Sequence, residues 1–322
     1  MRKVWALLVV VFAASLGAGT AQAATYTAGD VFASIGGGQV QQYSSAGVLK
    51  DTLTYSGAGS FNTGSAFDSS GNLYVTDFSS SKVEELAGPT DPHTATVFGG
   101  SNSTNESIVF NAAGQVYIGS VAGNGINEFS ATGTLLGNVI AGTRVDWMDL
   151  AANQTTMLYT QEGTAIHTVN VVTGVAGPDF ASGGAMNGGE AYALRILADG
   201  SVLLADGQYV IHFDSAGNVI RTYDSGVDAM FSLNVNNDGT SFWSGSFQNG
   251  TLYRFDIASG ALLQTINTGS FSLYGVSVFG EVTEGCGSAC GGGGGGTVPE
   301  PASLLLLGSG LAALGLSRMK KA

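Results

Sequence analysis

Short apolar segments separated by small polar turns run through the middle of the chain. One pattern recurs: an apolar or aromatic residue, a turn of small polar residues that ends in glycine, and a second apolar segment. Copies span residues 43–49, 129–135, 213–219 and 255–262, and weaker copies centre on Gly88 and Gly174. Turn residues between short β-branched and aromatic runs are typical of β-hairpins. The pattern therefore predicts a chain built of short antiparallel strands.

The glycines of this hairpin pattern repeat at intervals of 41 to 45 residues. They are Gly47, Gly88, Gly133, Gly174, Gly217 and Gly260. A second hairpin pattern lies between them, as at residues 67–75 and 110–118, so each repeat contains about four strands. Repeats of this length are typical of β-propeller blades, because a four-stranded sheet covers both of its faces only by packing between two neighbouring blades.

The repeats predict six blades and a specific closure of the ring. Five complete units begin near Gly64, Ser107, Trp147, Ala193 and Phe231. The first unit contains strands at residues 31–35, 39–44 and 48–54 but lacks its innermost one, which the apolar residues 274–279 can supply. We therefore expect an all-β fold, a six-bladed β-propeller with four-stranded blades whose C-terminal strand pairs into the N-terminal blade. A β-sandwich with coincidental spacing is the alternative.

The repeats between about residues 30 and 282 resemble those of NHL-type and related six-bladed propellers. This resemblance implies a fold and not a function, because propellers include hydrolases, lyases, receptors and scaffolds. Long amphipathic helical patterns are absent from the sequence, which argues against an α/β fold.

The N-terminus has the three parts of a secretory signal peptide. Arg2 and Lys3 form a positive segment, residues 4–12 are apolar, and Ala21 and Ala23 form a small-residue cleavage site. We expect cleavage after Ala23. A membrane span is the alternative, but the apolar run is short for one.

The C-terminus carries a second targeting signal. The motif Val298, Pro299, Glu300 and Pro301 is followed by an apolar run at residues 302–316 and by the basic residues Arg318, Lys320 and Lys321. This order resembles the PEP-CTERM sorting signal of exported Gram-negative proteins. The resemblance implies transient insertion into the inner membrane, cleavage by an exosortase-type enzyme, and delivery to the cell envelope, the outer surface or the extracellular matrix. The alternative is a permanent weak transmembrane anchor, since the run is shorter than the roughly 20 residues of a stable span.

These features predict four regions. Residues 1–23 are the signal peptide, 24–283 the propeller, 284–297 a glycine-rich linker, and 298–322 the sorting signal with its transmembrane segment. Cys286 and Cys290 lie in the linker, and export would allow them to form a disulfide. A metal site at these two thiols is not expected, because they provide only half of a typical ligand set.

The negative net charge of the chain limits the kinds of molecule that it can bind. The formal net charge is −13, and only 11% of the residues are charged. Such a chain repels nucleic acid and anionic lipid and attracts cations. Exopolysaccharide or other surface proteins are the expected partners in the envelope.

Candidate ligand residues come from one predicted face of the propeller. The loops between blades and the loops between second and third strands share this face, which surrounds the central channel. The candidates for ligand or metal binding are Asp77, Glu106, Asp146, Glu190, Asp206 and Asp228. The same face is expected to hold Asn62, Asn105, Arg144, Glu162, Asn187 and Asp224. Calcium suits such oxygen ligands, but no Asp-x-Asp-x-Asp pattern occurs, so an ordinary acidic surface is the alternative.

No sequence motif indicates catalysis, and we assign no catalytic residue. His93, His167 and His212 have no His-x-x-x-His spacing, and no Gly-x-Ser-x-Gly lies in a strand–turn–helix context. The aromatic residues Phe61, Trp147, Tyr192, Phe231, Trp243 and Phe271 either pack between blades or stack on sugar rings.

Two functions remain. The first is a non-enzymatic binding or structural module of the cell surface or extracellular matrix. The second is a calcium-assisted enzyme similar to lactonase-like and lyase-like propellers. A convergent ring of acids, amides and histidines at one channel mouth would favour the second function.

Overall fold

The computed structural model describes residues 24–55, 61–90, 93–99, 104–186, 189–271 and 273–285. Several predicted features lie outside these residues: Ala21 and Ala23 of the cleavage site, Asn187, Cys286 and Cys290, and the sorting motif Val298, Pro299, Glu300 and Pro301. The processing and disulfide predictions therefore stay predictions.

The described residues form short strands joined by tight turns. In chain order the strands are β1 (Val31–Gly36), β2 (Gln39–Tyr43), β3 (Leu49–Thr54), β4 (Asn62–Phe67), β5 (Leu73–Asp77), β6 (Lys82–Leu86), β7 (Ala95–Val97), β8 (Asn105–Phe110), β9 (Val116–Ser120), β10 (Gly125–Phe129), β11 (Leu135–Ile140), β12 (Met148–Leu150), β13 (Thr156–Tyr159), β14 (Ala165–Asn170), β15 (Ala181–Ser182), β16 (Leu194–Ile196), β17 (Val202–Ala205), β18 (Val210–Phe213), β19 (Val219–Tyr223), β20 (Met230–Val235), β21 (Ser241–Ser246), β22 (Thr251–Asp256), β23 (Leu262–Asn267) and β24 (Gly275–Val278). A single 3-10 turn spans Gly183–Met186. Within the described part of the chain, no helix is long and apolar enough to cross a membrane.

Six four-stranded antiparallel sheets form the blades, as the repeats predict. Blade 1 has the order β24-β1-β2-β3, and blades 2 to 6 each use four consecutive strands, from β4–β7 to β20–β23. The first strand of each blade contacts the first strand of the next, from β4 through β8, β12, β16 and β20 to β24 and back to β4. These six strands therefore surround the central channel.

The ring closes where the sequence predicts. β24 pairs with β1 in antiparallel register, from Val31 opposite Val278 to Ser34 opposite Gly275. The backbone N–H of Tyr274 also donates to the Ser34 carbonyl at 3.0 Å. The C-terminal strand thus becomes the innermost strand of the N-terminal blade, and β1 is paired on both sides, with β24 and β2.

The hairpin turns owe their shape to a side chain at the start and a glycine near the end. In the turn after β4, Asp68 Oδ1 accepts from the backbone N–H groups of Ser70 and Asn72 at 2.9 and 2.8 Å. Gly71 has a φ of 84°, which favours glycine. Asp214 and Gly217 repeat this arrangement in the turn after β18. The recurring turn pattern thus has a local physical cause.

The core lies between adjacent blades. Between blades 2 and 3, Tyr74 packs edge-on against Phe98 and Phe110, with ring centroids 5.1 Å apart in both pairs. Trp147 and Trp243 are 3% and 1% exposed, so they pack in the core and are not free to stack on a sugar. Each blade buries its faces against its neighbours, which is why isolated blades of this size are unstable.

Candidate functional site

Each innermost strand, or the one or two residues just before it, contributes one equivalent residue to one end of the channel. This residue lies four positions before the last residue of the strand. The last residues of the six innermost strands are, in chain order, Phe67, Phe110, Leu150, Ile196, Val235 and Val278. The equivalent residues are Thr63, Glu106, Asp146, Tyr192, Phe231 and Tyr274. Three consecutive blades supply polar side chains and the other three supply aromatic ones. This ring, called the channel mouth, is therefore polar and acidic on one side and aromatic on the other.

The acidic side contains three carboxyl groups held by one arginine. Glu106, Asp146 and Glu162 each place a carboxylate oxygen within 4.8 Å of the others. Arg144 donates from Nε and Nη2 to both oxygens of Asp146 at 2.6–3.0 Å, and Nη2 also donates to Glu162. Glu106 and Asp146 are buried, whereas the Arg144 side chain is 44% exposed. The guanidinium group therefore lies between the buried acids and the solvent.

Burial makes the acids of this cluster hard to ionise. It raises the pKa of Glu106 well above the usual value, and the nearby Asp146 and Glu162 carboxylates raise it further. Burial also raises the pKa of Asp146, although the hydrogen bonds and charge of Arg144 oppose this. Burial likewise raises the pKa of Glu162. The cluster therefore holds a proton more tightly than isolated carboxyl groups do.

Close contact between blades 2 and 3 positions Glu106. The hydroxyl groups of Thr63 and Thr76 donate to the Glu106 carbonyl oxygen at 2.9 and 3.0 Å. A Cβ atom at Gly64 would lie 2.5 Å from the same oxygen, so only glycine fits there. These backbone contacts hold the start of β8 against β4 and direct the Glu106 side chain into the cluster.

Glu162 reaches the cluster from a turn between strands. It follows β13 with a φ of 53°, a left-handed conformation that is uncommon outside glycine. The adjacent Gln161 donates from Nε2 to the Arg144 carbonyl at 3.0 Å. The turn of blade 4 is thereby fastened to the connection that carries Arg144.

The aromatic side of the mouth consists of rings packed edge to face. Phe61 and Tyr274 have centroids 4.8 Å apart, and Phe61 and Phe78 are 6.4 Å apart. On the neighbouring blades, Tyr192 packs against Phe231 at 5.0 Å. Phe61 is 40% exposed, so part of this aromatic wall faces solvent.

A pocket of about 310 Å³ lies between the two sides. Its lining residues are Phe61, Thr63, Phe78, Glu106, Arg144, Glu162, Phe231 and Tyr274. Binding pockets in proteins combine apolar and aromatic walls with a few convergent polar groups, and this pocket has that composition.

The opposite end of the channel is closed by the segment that follows β24. Glu281 lies there, buried, and accepts from Nδ2 of Asn234. Arg195 donates from Nε to Asn234 Oδ1 at 3.2 Å, and Asp149 Oδ2 accepts from the Ile196 N–H at 2.8 Å. Burial raises the pKa of Glu281 to about 7, although the Arg195 charge opposes this. The cavity enclosed at this end is about 10 Å³, which is room for a single water at most.

The structure brings two of the six predicted ligand residues together, Glu106 and Asp146. Asp77 and Asp206 are buried and accept from local backbone N–H groups, of Ser80 at 2.9 Å and of Gln208 at 3.0 Å. Glu190 is exposed and accepts from the Tyr192 hydroxyl at 2.6 Å. Asp228 is exposed at the start of the β20 segment. These four residues are not part of the carboxylate cluster.

The sequence predicts the correct face for Arg144 and Glu162 but not their part in the carboxylate cluster. It predicts Tyr274 as part of the closing strand alone and gives no sign of Phe78 at the pocket. The signal that could have identified Tyr274 is its offset from the end of its strand, which matches that of Glu106 and Asp146. Phe271, by contrast, is 81% exposed and does not line the pocket.

The three carboxylates are the described residues best placed to hold a metal ion. Both oxygens of Asp146 already accept from Arg144, so a cation would compete with the guanidinium group. Calcium prefers six to eight oxygen ligands, and the facing wall of the pocket is aromatic carbon. Calcium binding here stays a prediction.

The three histidines lie apart from the cluster and have their own partners. His93 bonds to the Gly88 carbonyl through Nδ1 at 3.0 Å and stacks on Tyr26. His167 pairs with Asp179 at 2.8 Å, and His212 Nε2 contacts the Ser201 hydroxyl at 2.9 Å. The ring of acids, amides and histidines that would favour an enzyme is therefore not formed by these residues.

Comparison with known proteins supports the targeting signal and the fold. Residues 297–320 match the PEP-CTERM protein-sorting motif, which indicates an exported protein of the cell envelope and implies processing by exosortase-type machinery. No curated protein matches the chain.

Many solved structures resemble this fold, and two of them illustrate the likeness. One is a chain in the crystal structure of a nidogen/laminin complex, with 14% identity, a TM-score of 0.65, and coverage of 77% of this chain and 97% of that one. The other is a protein of unknown function from Bacteroides caccae, with 10% identity, a TM-score of 0.60, and coverage of 78% and 98%. At these identities the likeness concerns the fold alone.

Proposed function

We propose that the protein is an exported, non-enzymatic binding module of the cell envelope or extracellular matrix, and that its binding site is the pocket at the channel mouth. The observation that carries this proposal is the division of six equivalent positions into a polar, acidic half and an aromatic half around a pocket of about 310 Å³. Such a concave site with few convergent polar groups is the usual form of a ligand site.

The described chain ends on the side of the propeller opposite the pocket. The carbonyl of Gly285 accepts from Gln154 Nε2 at 2.6 Å. Gln154 lies in the β12–β13 turn, at the end of the channel opposite the mouth.

On the acidic side of the pocket, a ligand meets groups that are already paired. Arg144 donates to both Asp146 and Glu162. Exopolysaccharide and other surface proteins remain the proposed partners.

One observation supports a second candidate, the metal-assisted lactonase-like or lyase-like enzyme. Buried carboxyl groups with raised pKa values, close together in a pocket, also occur at active sites. For this function the full chain must turn over ester, lactone or polysaccharide substrates in the presence of calcium, and Glu106→Gln must abolish the turnover.

Thermal unfolding of the full chain with a panel of small ligands tests the binding proposal. The panel contains neutral sugars, amino sugars, polyamines, amino acids and calcium chloride. A ligand at a hundredfold excess over its Kd should stabilise the protein by about 2.7 kcal/mol. Phe61→Ala, in the pocket wall, should reduce the effect, and Phe271→Ala, an exposed aromatic outside the pocket, should not. Stabilisation that survives both Phe61→Ala and Glu162→Gln, or catalytic turnover of a panel member, would contradict the proposal.

A further inference from the structure

We propose that the pocket at the channel mouth binds an organic cation, a primary or quaternary ammonium group, between its aromatic wall and its carboxylate wall. This inference rests on the binding function proposed above and specifies the chemistry of the ligand. It follows from the charge of the pocket, the composition of the facing wall and the burial of the acids.

The charge of the pocket is not balanced by the described residues around it. Glu106 and Glu162 line the pocket, and Asp146 places a carboxylate oxygen within 4.8 Å of both. Burial favours a proton on Glu106. Arg144 is the one basic residue among the described lining residues, so its charge balances one of the two remaining carboxylates and leaves the other without a cation. A cationic ligand would supply the missing positive charge in a partly desolvated site, where an ion pair is less screened than at an open surface.

The facing wall has the composition that attracts organic cations. Phe61, Phe78, Phe231 and Tyr274 line the pocket opposite the carboxylates. The electron-rich face of an aromatic ring attracts an ammonium group, and this attraction is stronger when the cation is desolvated. The edge-to-face contacts of Phe61 with Phe78 and with Tyr274 orient these rings at steep angles to one another, 86° and 83°. These contacts fix the orientation of three of the rings that line the pocket.

Three other ligand classes fit less well. An anion meets the net negative pocket of a chain whose formal net charge is −13. A calcium ion bound directly by the protein takes six to eight oxygen ligands, and half of the residues that line the pocket are aromatic. A neutral sugar could stack on the rings, but it would leave the charge of the carboxylates unbalanced.

The decisive experiment compares choline with its neutral isostere, 3,3-dimethylbutan-1-ol. The two molecules share shape and differ in charge, so their difference in affinity isolates the cation. Isothermal titration of the full chain at low salt should give at least about tenfold tighter binding of choline. Added sodium chloride should weaken choline binding, because part of the attraction is electrostatic.

Three variants test whether choline binds in the pocket. Tyr274→Leu keeps an apolar side chain but removes a ring, and it should weaken choline binding about tenfold. Glu162→Gln removes a negative charge at a partly exposed turn and should weaken choline without changing the affinity for the neutral isostere. Glu128→Gln removes a carboxylate on β10, outside the pocket lining, and should change neither affinity. Because Tyr274 packs against Phe61, the thermal midpoint of each variant is measured alongside, and Glu162→Gln provides the test if Tyr274→Leu fails to fold.

Two further pairs of probes distinguish the source of the ammonium group. Glucosamine against N-acetylglucosamine tests an amino sugar, and trimethyl-lysine against acetyl-lysine tests a protein side chain. If the neutral isostere or N-acetylglucosamine binds tightly, and the pocket variants lose this binding, the cation proposal is overturned. The proposed binding function is then unaffected. If choline, glucosamine and trimethyl-lysine all fail to bind at about 10 mM, the cation proposal is also overturned. In that case the wider ligand panel decides the binding function separately.

Discussion

Gly275 lies so close to Thr63 that a Cβ atom added to the glycine would be 1.8 Å from the Thr63 carbonyl oxygen. Gly275 is in the closing strand β24, and Thr63 is in β4 of the next blade. The ring therefore closes through a backbone contact that leaves no room for a side chain. Because Tyr274 and Thr63 both line the pocket, the same contact sets the distance between two of its walls.

This contact makes Gly275→Ala a strongly destabilising change. The added methyl group must displace backbone on one side, and overpacking of this kind costs about 1–3 kcal/mol. We expect a thermal midpoint several degrees lower for the variant, as measured by circular dichroism. Gly137→Ala is the matched control, because a Cβ there meets nothing within 4 Å. Equal midpoints for the two variants would contradict the closure geometry.

Removal of Arg144 should destabilise the protein in a pH-dependent way. Arg144→Met leaves Glu106, Asp146 and Glu162 without their cation, so we expect a loss of about 1–2 kcal/mol near pH 8. Near pH 5 the loss should be smaller, because burial raises the pKa of each of these acids and protonation relieves their repulsion. Urea unfolding at both pH values measures the difference. Arg221→Met is the control, since within the described ranges Arg221 donates to the carbonyls of Ala258 and Ser259 and to no carboxylate. If it showed the same pH dependence, the assigned role of Arg144 would be wrong.

Glu281 should make the folded protein less stable as the pH rises. Its pKa is raised to about 7 in the folded state, mainly by burial, so the folded state holds a proton that the unfolded state releases above its ordinary pKa. The free energy of unfolding therefore falls between about pH 4.5 and pH 7, by about 3 kcal/mol at most. Asp149, Glu106 and Asp146, whose pKa values are also raised, change stability in the same direction.

The variant Glu281→Gln isolates this contribution. A glutamine keeps an oxygen that accepts from Asn234 but does not ionise, so the decrease of stability with pH should become shallower. Urea unfolding from pH 4.5 to pH 8 provides the comparison, with Glu128→Gln as the control. An unchanged pH profile in Glu281→Gln would show that this carboxyl group ionises normally in the folded protein.

Processing at both ends is a further prediction. The exported protein should begin at Ala24 and lack the apolar segment that follows Pro301, because the signal peptide and the sorting motif direct two cleavages. Intact-mass measurement of protein from the cell surface or medium tests both sites at once. Replacement of Pro299, Glu300 and Pro301 by alanine should leave the C-terminal segment attached and keep the protein in the membrane fraction. Detection of residues 302–318 in the mature wild-type protein would favour the permanent anchor instead.

The blade number and the closure were predictable because their causes are local. A turn such as residues 68–72 forms from its own aspartate and glycine, wherever the blade sits in the ring. The apolar segment at residues 274–279 could be matched to the strand that the first repeat lacked. Each four-stranded sheet must then bury both of its faces against neighbouring sheets, and a closed ring of blades does this for every sheet.

The choice among the predicted site residues was not predictable in the same way. Asp77 and Glu106 both lie at the mouth end of their blades, but only Glu106 reaches the carboxylate cluster. Asp77 lies on a second strand and accepts from the Ser80 N–H, whereas Glu106 occupies the offset on the innermost strand that faces the channel. A difference of one strand within a blade separates the two roles, and the residue types alone do not reveal it.

The sequence by itself determined the fold, its closure and the export signal, because these depend on short-range patterns of turns, strands and motif residues. The tertiary structure alone decided which acids meet, which aromatic residues face them, and that Arg144 lies among them. Glu106, Asp146 and Tyr274 come from different blades, and their distances depend on how tightly the blades pack around the channel. These distances depend on the packing of the whole ring, and the sequence of a single repeat does not determine them.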